Sequence, residues 1–344
     1  MLDFPKLIYH RQRMQEWFAD PCIVPIYVEI SPTSICNHNC VFCAYNYTKG
    51  NDILNADKII TFLNESAEMG VESIMVAGEG EPLIHKGLDK IISNSKLEYA
   101  LSTNGVLATR DKLIDIIGKL AWIRFSIDAG DALTHSLIHM TSIKDWYTIL
   151  DNIHNACLLR ERSDSKCEIE VQFIALNENI WSLRNFIETF IDSKVDMIII
   201  KPYSKGMYEA NPLDEIYDSW LIDYIKDIIT GYNDSRIKFR KHAFSACIET
   251  KPYLACYALP FWAYISANGN VYACGNHVGN DDYYCGNINK DSAKEVWLGE
   301  RRQKIIQKVM TGFDINKCRK NCRMSVNNDF LFGQVELPKN YKFI

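Results

Sequence analysis

The sequence predicts an α/β fold in which six strand-and-helix units form the larger part of the chain and a small, irregular unit closes it. Three observations predict this. Short apolar runs alternate with amphipathic helical stretches from residue 24 to residue 201. The runs end in glycine, proline or short polar residues, as loops at the carboxyl ends of parallel strands do. From Cys247 onward the rhythm stops, and six cysteines, several glycines and short aromatic segments replace it. Right-handed crossovers would keep the six strands parallel, which leaves two arrangements open, an incomplete (β/α)6 barrel and a doubly wound sheet.

In order, residues 1–22 hold an amphipathic helix with Leu7, Ile8, Met14, Trp17 and Phe18 among polar residues, ended by Asp20-Pro21. Val24–Ile30 is the first strand, broken by Pro32. A helix over 57–69 places Ile59, Ile60, Leu63 and Ala67 on one side, and Ser73–Ala77 is the second strand, running into Gly78-Glu79-Gly80-Glu81-Pro82. A short helix over 86–94 precedes the third strand, Tyr99–Ser102, whose loop is Thr103-Asn104-Gly105. The helix 110–120 leads to the fourth strand, Trp122–Ile127, and to Asp128-Ala-Gly130. A helix over 143–160, a fifth strand over 168–176, a helix over 181–191 and a sixth strand over 196–201 follow. After a connector at 202–215 comes a helix from Ile216 to Ile229. The boundary falls near 245, dividing a unit of 23–245 from one of 246–344. In the second, Ile265–Tyr272 reads as a hairpin turning at Asn268-Gly269, and Lys294–Val309 as a helix packed on the first unit. The tail 327–344 suits a cover for the barrel mouth or a dimer arm.

Composition narrows the function. Charged residues make up 24% and hydrophobic ones 47% of 344 residues, an ordinary globular balance. The net charge of -5 and the lack of a basic tract argue against a nucleic-acid groove or an anionic membrane surface. No apolar run reaches about eighteen residues, so no membrane span is expected. The start Met1-Leu-Asp-Phe-Pro5 lacks the progression of a secretory signal. A cytoplasmic location is therefore expected, and there twelve cysteines read as metal ligands rather than disulfides.

The densest set is Cys36-Asn-His-Asn-Cys40-Val-Phe-Cys43, directly after the first strand. Three thiolates on one loop can hold a four-iron cube and leave one iron open to a small molecule. Zinc also takes Cys and His38, but it ordinarily completes four ligands, which this loop does not supply alone. The triad resembles the Cys-x3-Cys-x-aromatic-Cys signature of the radical S-adenosylmethionine (SAM) superfamily, with Phe42 as the aromatic residue. The resemblance favours the partial (β/α)6 TIM-like barrel over the doubly wound sheet. It implies that Cys36, Cys40 and Cys43 ligate a [4Fe-4S] cluster whose fourth iron chelates SAM, and that reductive cleavage gives a 5'-deoxyadenosyl radical. A flavodoxin- or ferredoxin-type protein would supply the electron.

The resemblance extends to the strand ends. Gly78, Gly80, Glu81 and Pro82 match the family's Gly-Gly-Glu-Pro segment, which holds the SAM amino group, with Glu79 where the family has glycine. Ser102 and Asn104, then Ser126 and Asp128, resemble positions that bind the SAM carboxylate and ribose, Asp128 being the preferred ribose ligand. Gln172 is expected to face the cavity. Arg124 shares a strand face with Ser126 and Asp128, so if buried it needs an anion, which SAM or substrate would provide. Lys201 is a candidate substrate anchor, with a surface lysine as its alternative.

Cys256, Cys274, Cys318 and Cys322 could complete a cluster or a zinc site. The segment from Gly269 to Cys274 and the terminal Cys-x3-Cys resemble C-terminal SPASM or twitch domains, which implies a second, auxiliary [4Fe-4S] cluster on these four thiols. Cys285 stands outside the count and is a candidate hydrogen donor, or a buried apolar side chain. The function expected is oxidation of an alcohol carbon in a small polar substrate, a sugar, nucleotide-sugar or aminocyclitol. Epimerisation with Cys285 as donor is the first alternative, followed by peptide modification, radical methylation or carbon-sulfur bond formation, and a zinc-bearing interaction or nucleic-acid-binding protein. The short segment before the first strand leaves no room for an N-terminal leader-binding domain.

Overall fold

The chain folds around one mixed sheet, seen in a computed structural model that describes residues 4–208, 213, 217–336 and 342. Six parallel strands follow in chain order: β1 (Tyr27–Ile30), β2 (Ser73–Val76), β3 (Glu98–Thr103), β4 (Leu120–Ser126), β5 (Glu168–Ala175) and β6 (Met197–Pro202). Side chains of β1, β2, β5 and β6 are buried almost without alternation, because helices cover the outer face while the inner face lines the barrel, whereas β4 alternates buried and half-buried residues. This is the open parallel barrel, and its six units fall where the periodicity placed them.

The sheet extends beyond those six strands at both edges. A short β7 (Ile237–Phe239) adds parallel to β6. At the other edge β8 (Trp262–Ile265) adds parallel to β1, pairing Tyr27 with Trp262 and Ile30 with Ile265. β9 (Asn270–Tyr272) and β10 (Tyr284–Asn287) complete the order β10-β9-β8-β1-β2-β3-β4-β5-β6-β7. The C-terminal unit is thus joined to the barrel by sheet hydrogen bonds, and the hairpin β8–β9 turns at Gly269, whose φ of 89° needs no Cβ.

Helix termini follow their caps. Asn55 accepts from the amides of Asp57 and Lys58 to start the helix Ala56–Glu68, which buries Ile59, Phe62, Leu63 and Ser66. The helix expected over 294–309 is two helices, Ala293–Trp297 and Glu300–Thr311. The chain breaks at Gly299, where a Cβ would lie 2.0 Å from the Glu295 carbonyl oxygen. The helix Ala132–His139 is absent from the sequence reading because its polarity is inverted. His135 and His139 are buried while Leu133 and Leu137 are exposed, so no apolar stripe marks its inner face.

The N-terminal helix is Arg11–Ala19, seated by Met14 and Trp17. The helix expected from Ile216 is described from Ser219 to Thr230, and Ile216 itself lies outside the described residues. The described part of the tail, the helix Ser325–Val335, packs against Cys256, with Asn328 accepting from the Ala258 amide and donating to the Cys256 sulfur, and most of the remaining tail lies outside the described residues. No helix among the described residues is long and apolar enough to cross a membrane.

Candidate metal centres and cofactor site

The first cysteine loop leaves β1 and is seated on the glycines that follow β2. A Cβ on Gly80 would come within 2.3 Å of the Ile35 carbonyl oxygen, and one on Gly78, at φ 125°, within 2.4 Å of Ser31. Only glycine lets the loop lie this close. Glu79, in the place of a family glycine, finds its own use: its carboxylate accepts from the Ala267 amide and so ties the β2 end to the β8–β9 turn. Glu81 is buried and accepts from the Leu83 amide, the Thr103 hydroxyl (2.7 Å) and the Asn104 amide (2.8 Å). Its side chain therefore clamps the ends of β2 and β3, and Pro82 opens a short 3-10 turn behind it. Asn104 continues the line by donating to Asn37 inside the cysteine loop.

Cys36, Cys40 and Cys43 form no disulfide. Burial raises the thiol pKa of Cys36 and Cys40, and the neighbouring thiolates of the set raise them further. Three thiolates at this spacing repel one another unless a cationic centre lies between them, which is the donor chemistry an iron-sulfur cluster requires. Phe42 packs edge-on against His139.

His135 and His139, which escape the sequence reading, join His38 around this loop. The ring of His139 is 3.1 Å from the Cys40 sulfur through Nδ1 and 3.0 Å from the Ile127 carbonyl through Nε2. His38 contacts Asp145 at 3.3 Å, and His135 stacks on His139 at 4.3 Å. His38, Cys40 and His139 offer ligand atoms within 4.8 Å of one another. Burial lowers the pKa of all three imidazoles, so they are neutral at pH 7. The available signal was His135-x3-His139, an i, i+4 pair on one helix face, together with His38 between two cysteines.

Asp128 is fully buried in the left-handed region, φ 54°. Its Oδ1 accepts from the Ile174 amide at 2.7 Å, and its Oδ2 lies 3.6 Å from His139 Nε2 with no hydrogen-bond partner. Burial raises its pKa. Only Oδ2 is left for a ribose hydroxyl, so half of the expected ligand is spent on holding β5. Gln172, buried on β5, supports the same turn by accepting from the Ile127 and Asp128 amides through its carbonyl. Ser126 pairs with Gln172, and Ser102 pairs with Arg124 across the sheet.

Arg124 corrects one expectation. The anion it needs belongs to the protein: it binds Glu170, its partner in register on β5, at 2.6 and 2.7 Å, and lies over Trp122. Lys201 is next to last in β6 and half-buried. Burial and the Arg124 charge lower its pKa, while the Asp128 carboxylate opposes the shift.

The second cysteine set comes from three separate segments. Burial raises the pKa of Cys256, Cys274 and Cys318, and in each case another member of the set adds to the rise. Amide donors face the sulfurs: Asn328 to Cys256 at 3.5 Å, Asn276 to Cys322 at 3.6 Å and the Met324 amide to Cys322 at 3.5 Å. Such contacts tune a cluster when it is bound. Cys285 is buried in β10 beside Arg302, its thiol donating to the Tyr283 carbonyl and accepting from the amide of Ala273, the residue before Cys274.

Residues 30–158 match the radical SAM superfamily, and residues 256–323 match an iron-sulfur cluster-binding domain of the SPASM type. The chain carries a radical SAM domain followed by a SPASM domain. Among curated proteins it is 37% identical over 90 residues to a GTP 3',8-cyclase of Helicobacter pylori, a match covering 24% of this chain and 28% of that one. It is 33% identical over 204 residues to a GTP 3',8-cyclase of Campylobacter jejuni, covering 55% and 61%. These matches therefore span less than two thirds of the relatives' length. Among solved structures it shares the fold of SuiB of Streptococcus suis bound to the precursor peptide SuiA, with TM-score 0.68, 17% identity and 93% and 76% of the two chains covered. It also shares that of anSMEcpe with bound AdoMet, with TM-score 0.59, 16% identity and 93% and 100% covered. A radical SAM domain with a SPASM domain implies SAM and two [4Fe-4S] clusters, and the three-thiol and four-thiol donor sets fit that complement.

Proposed function

We propose that this radical SAM protein oxidises an alcohol carbon of a small polar substrate, such as a sugar, nucleotide-sugar or aminocyclitol. The observation that carries the reading is the second cysteine set. Four thiols, Cys274 buried and the other three half-buried, are enough to complete the ligation of a cluster, which would leave no iron open to bind substrate and an electron acceptor as the remaining use. When bound, SAM and the two clusters supply the hydrogen-abstracting radical and the electron sink. Cys36, Cys40 and Cys43 would hold the first cluster, with Gly78, Gly80 and the backbone around Glu81 facing SAM. Asp128 Oδ2 and Asn104 would meet its polar groups.

The charged barrel interior suits a polar molecule. Lys201, its ammonium disfavoured by burial, is our choice of base. As hydrogen leaves carbon, its free amine takes the hydroxyl proton. The remaining electron passes to the acceptor, leaving a carbonyl and an ammonium that the Asp128 carboxylate favours. Cys285, whose thiol is spent on the Tyr283 carbonyl, is not used as a hydrogen donor in this reading. The electron donor that primes the first site would be a flavodoxin or ferredoxin, and cysteines that form no disulfide suit a reducing cytoplasm. We place the boundary between the two units near 245.

The test is anaerobic incubation with SAM, reductant and a panel of sugars, nucleotide-sugars and cyclitols in deuterated buffer. A product lighter by two hydrogens, formed with equimolar 5'-deoxyadenosine and lost in Lys201→Met, is expected. A mass-neutral product that gains solvent deuterium would overturn oxidation in favour of epimerisation. A second reading, peptide modification, draws on the fold shared with SuiB, whose structure holds a precursor peptide. Peptides therefore belong in the panel.

A further inference from the structure

The two cysteine sets are joined by a contact that neither the signature motif nor the SPASM segment contains. Two residues after Cys43, the ring of Tyr45 stacks on Tyr264 of β8, centroid to centroid 5.6 Å at 20°. Its hydroxyl donates to the carbonyl of Gly275, the residue after Cys274, at 3.1 Å. Tyr47, two residues on, makes a similar hydroxyl bond to the Val278 carbonyl at 3.2 Å, where no cysteine adjoins. The segment from Gly275 to Val278 is held from the other side as well, because Arg319, next to Cys318, donates to Asn276 at 2.5 Å. The segment after Cys274 thus meets the residues that follow Cys43 and the residue that follows Cys318.

We propose that Tyr45 is a positioning residue that carries electronic coupling between the two metal-binding sites, through its hydroxyl bond to the Gly275 carbonyl. This rests on the two-cluster reading. The path runs from Cys43 along the backbone to Tyr45, across the hydrogen bond, and into the peptide unit that follows Cys274. Outer-shell bonds of this kind set the properties of the metal sites they reach. The step is a one-electron exchange: the second site is oxidised, the first is reduced, and no proton or external oxidant is consumed. It would return the electron taken from substrate to the site that begins the next turnover.

The experiment uses full-length protein with both sites loaded, reduced, freed of excess reductant and mixed with SAM. Cleavage of SAM removes an electron from the first site, and freeze-quench EPR follows the reduced signal of the second as it refills the first. Tyr45→Phe keeps the ring and its stack and removes only the hydroxyl. It is expected to retain about eight irons per chain and to slow the decay of the second signal by about tenfold or more. Tyr47→Phe, the matched control away from any cysteine, is expected to decay at the wild-type rate. A wild-type rate in Tyr45→Phe overturns the proposal, as does loss of second-site iron in that variant, which would make the tyrosine a clamp only. Wild-type protein with no iron would defeat the two-cluster reading itself, and the iron assay separates that outcome from the others.

Discussion

Cys36, Cys40 and Cys43 lie on a single loop between β1 and the helix Ala56–Glu68, whereas Cys256, Cys274, Cys318 and Cys322 are gathered from three segments that meet only once the C-terminal unit has folded onto β1. The first set is shaped by its own loop and by glycines that let the loop settle on the β2 end. The second depends on side chains that cross long stretches of sequence: Arg323 pairs with the buried Glu29 of β1, Glu79 reaches Ala267, and Asn328 reaches Cys256. A local set can assemble at small entropic cost. A distributed set is linked to global folding, so its metal should stabilise the protein far more than that of the first.

The strongest test of this contrast separates the sets by function. Cys40→Ala is expected to abolish formation of 5'-deoxyadenosine while second-site iron stays at about four per chain, read by EPR and iron assay. Cys318→Ala should do the reverse. It should keep SAM cleavage but lose the oxidised product, and lower stability to denaturant by about 3 kcal/mol or more as metal-linked folding energy is lost. If Cys40→Ala destabilised the protein more than Cys318→Ala, the division into local and distributed sites would fail.

A smaller effect comes from a buried histidine beside each set. Burial pushes the pKa of both His135 and His277 down to about 4. The unfolded value is about 6.5, so between these values the unfolded state binds more protons. Stability should therefore be fully present above about pH 6.5 and fall as pH drops toward 4, by on the order of 2 kcal/mol for each residue. His277→Gln and His135→Gln should each flatten part of that slope in thermal unfolding between pH 7 and 5. Equal slopes in wild type and variants would show that neither histidine is linked to folding. Smallest of all, Cys285→Ser is expected to leave product and iron unchanged and to cost about 1 kcal/mol, read from the melting temperature.

The same contrast explains what could be read from the chain alone. The parallel strands were legible because continuous apolar runs and strand-end glycines leave a periodic trace, and the first cysteine set because its ligands adjoin. The pairing of β8 with β1 was not, since parallel register between residues so far apart has no local signature. The helix Ala132–His139 hid because its buried face carries His135 and His139. Arg124 was seen to need an anion, but Glu170 could be recognised as that anion only once β4 and β5 were in register. Asp128 read as a ligand because a turn aspartate shows its chemistry in the sequence but not the backbone amide it holds.

Iron and zinc in anaerobically purified wild-type protein decide the central claim, that the chain holds a radical-generating site and a separate, fully ligated second site. The account predicts brown protein with about eight irons per chain, falling to about four in Cys318→Ala with SAM cleavage retained. Colourless protein with stoichiometric zinc and no SAM cleavage would contradict it.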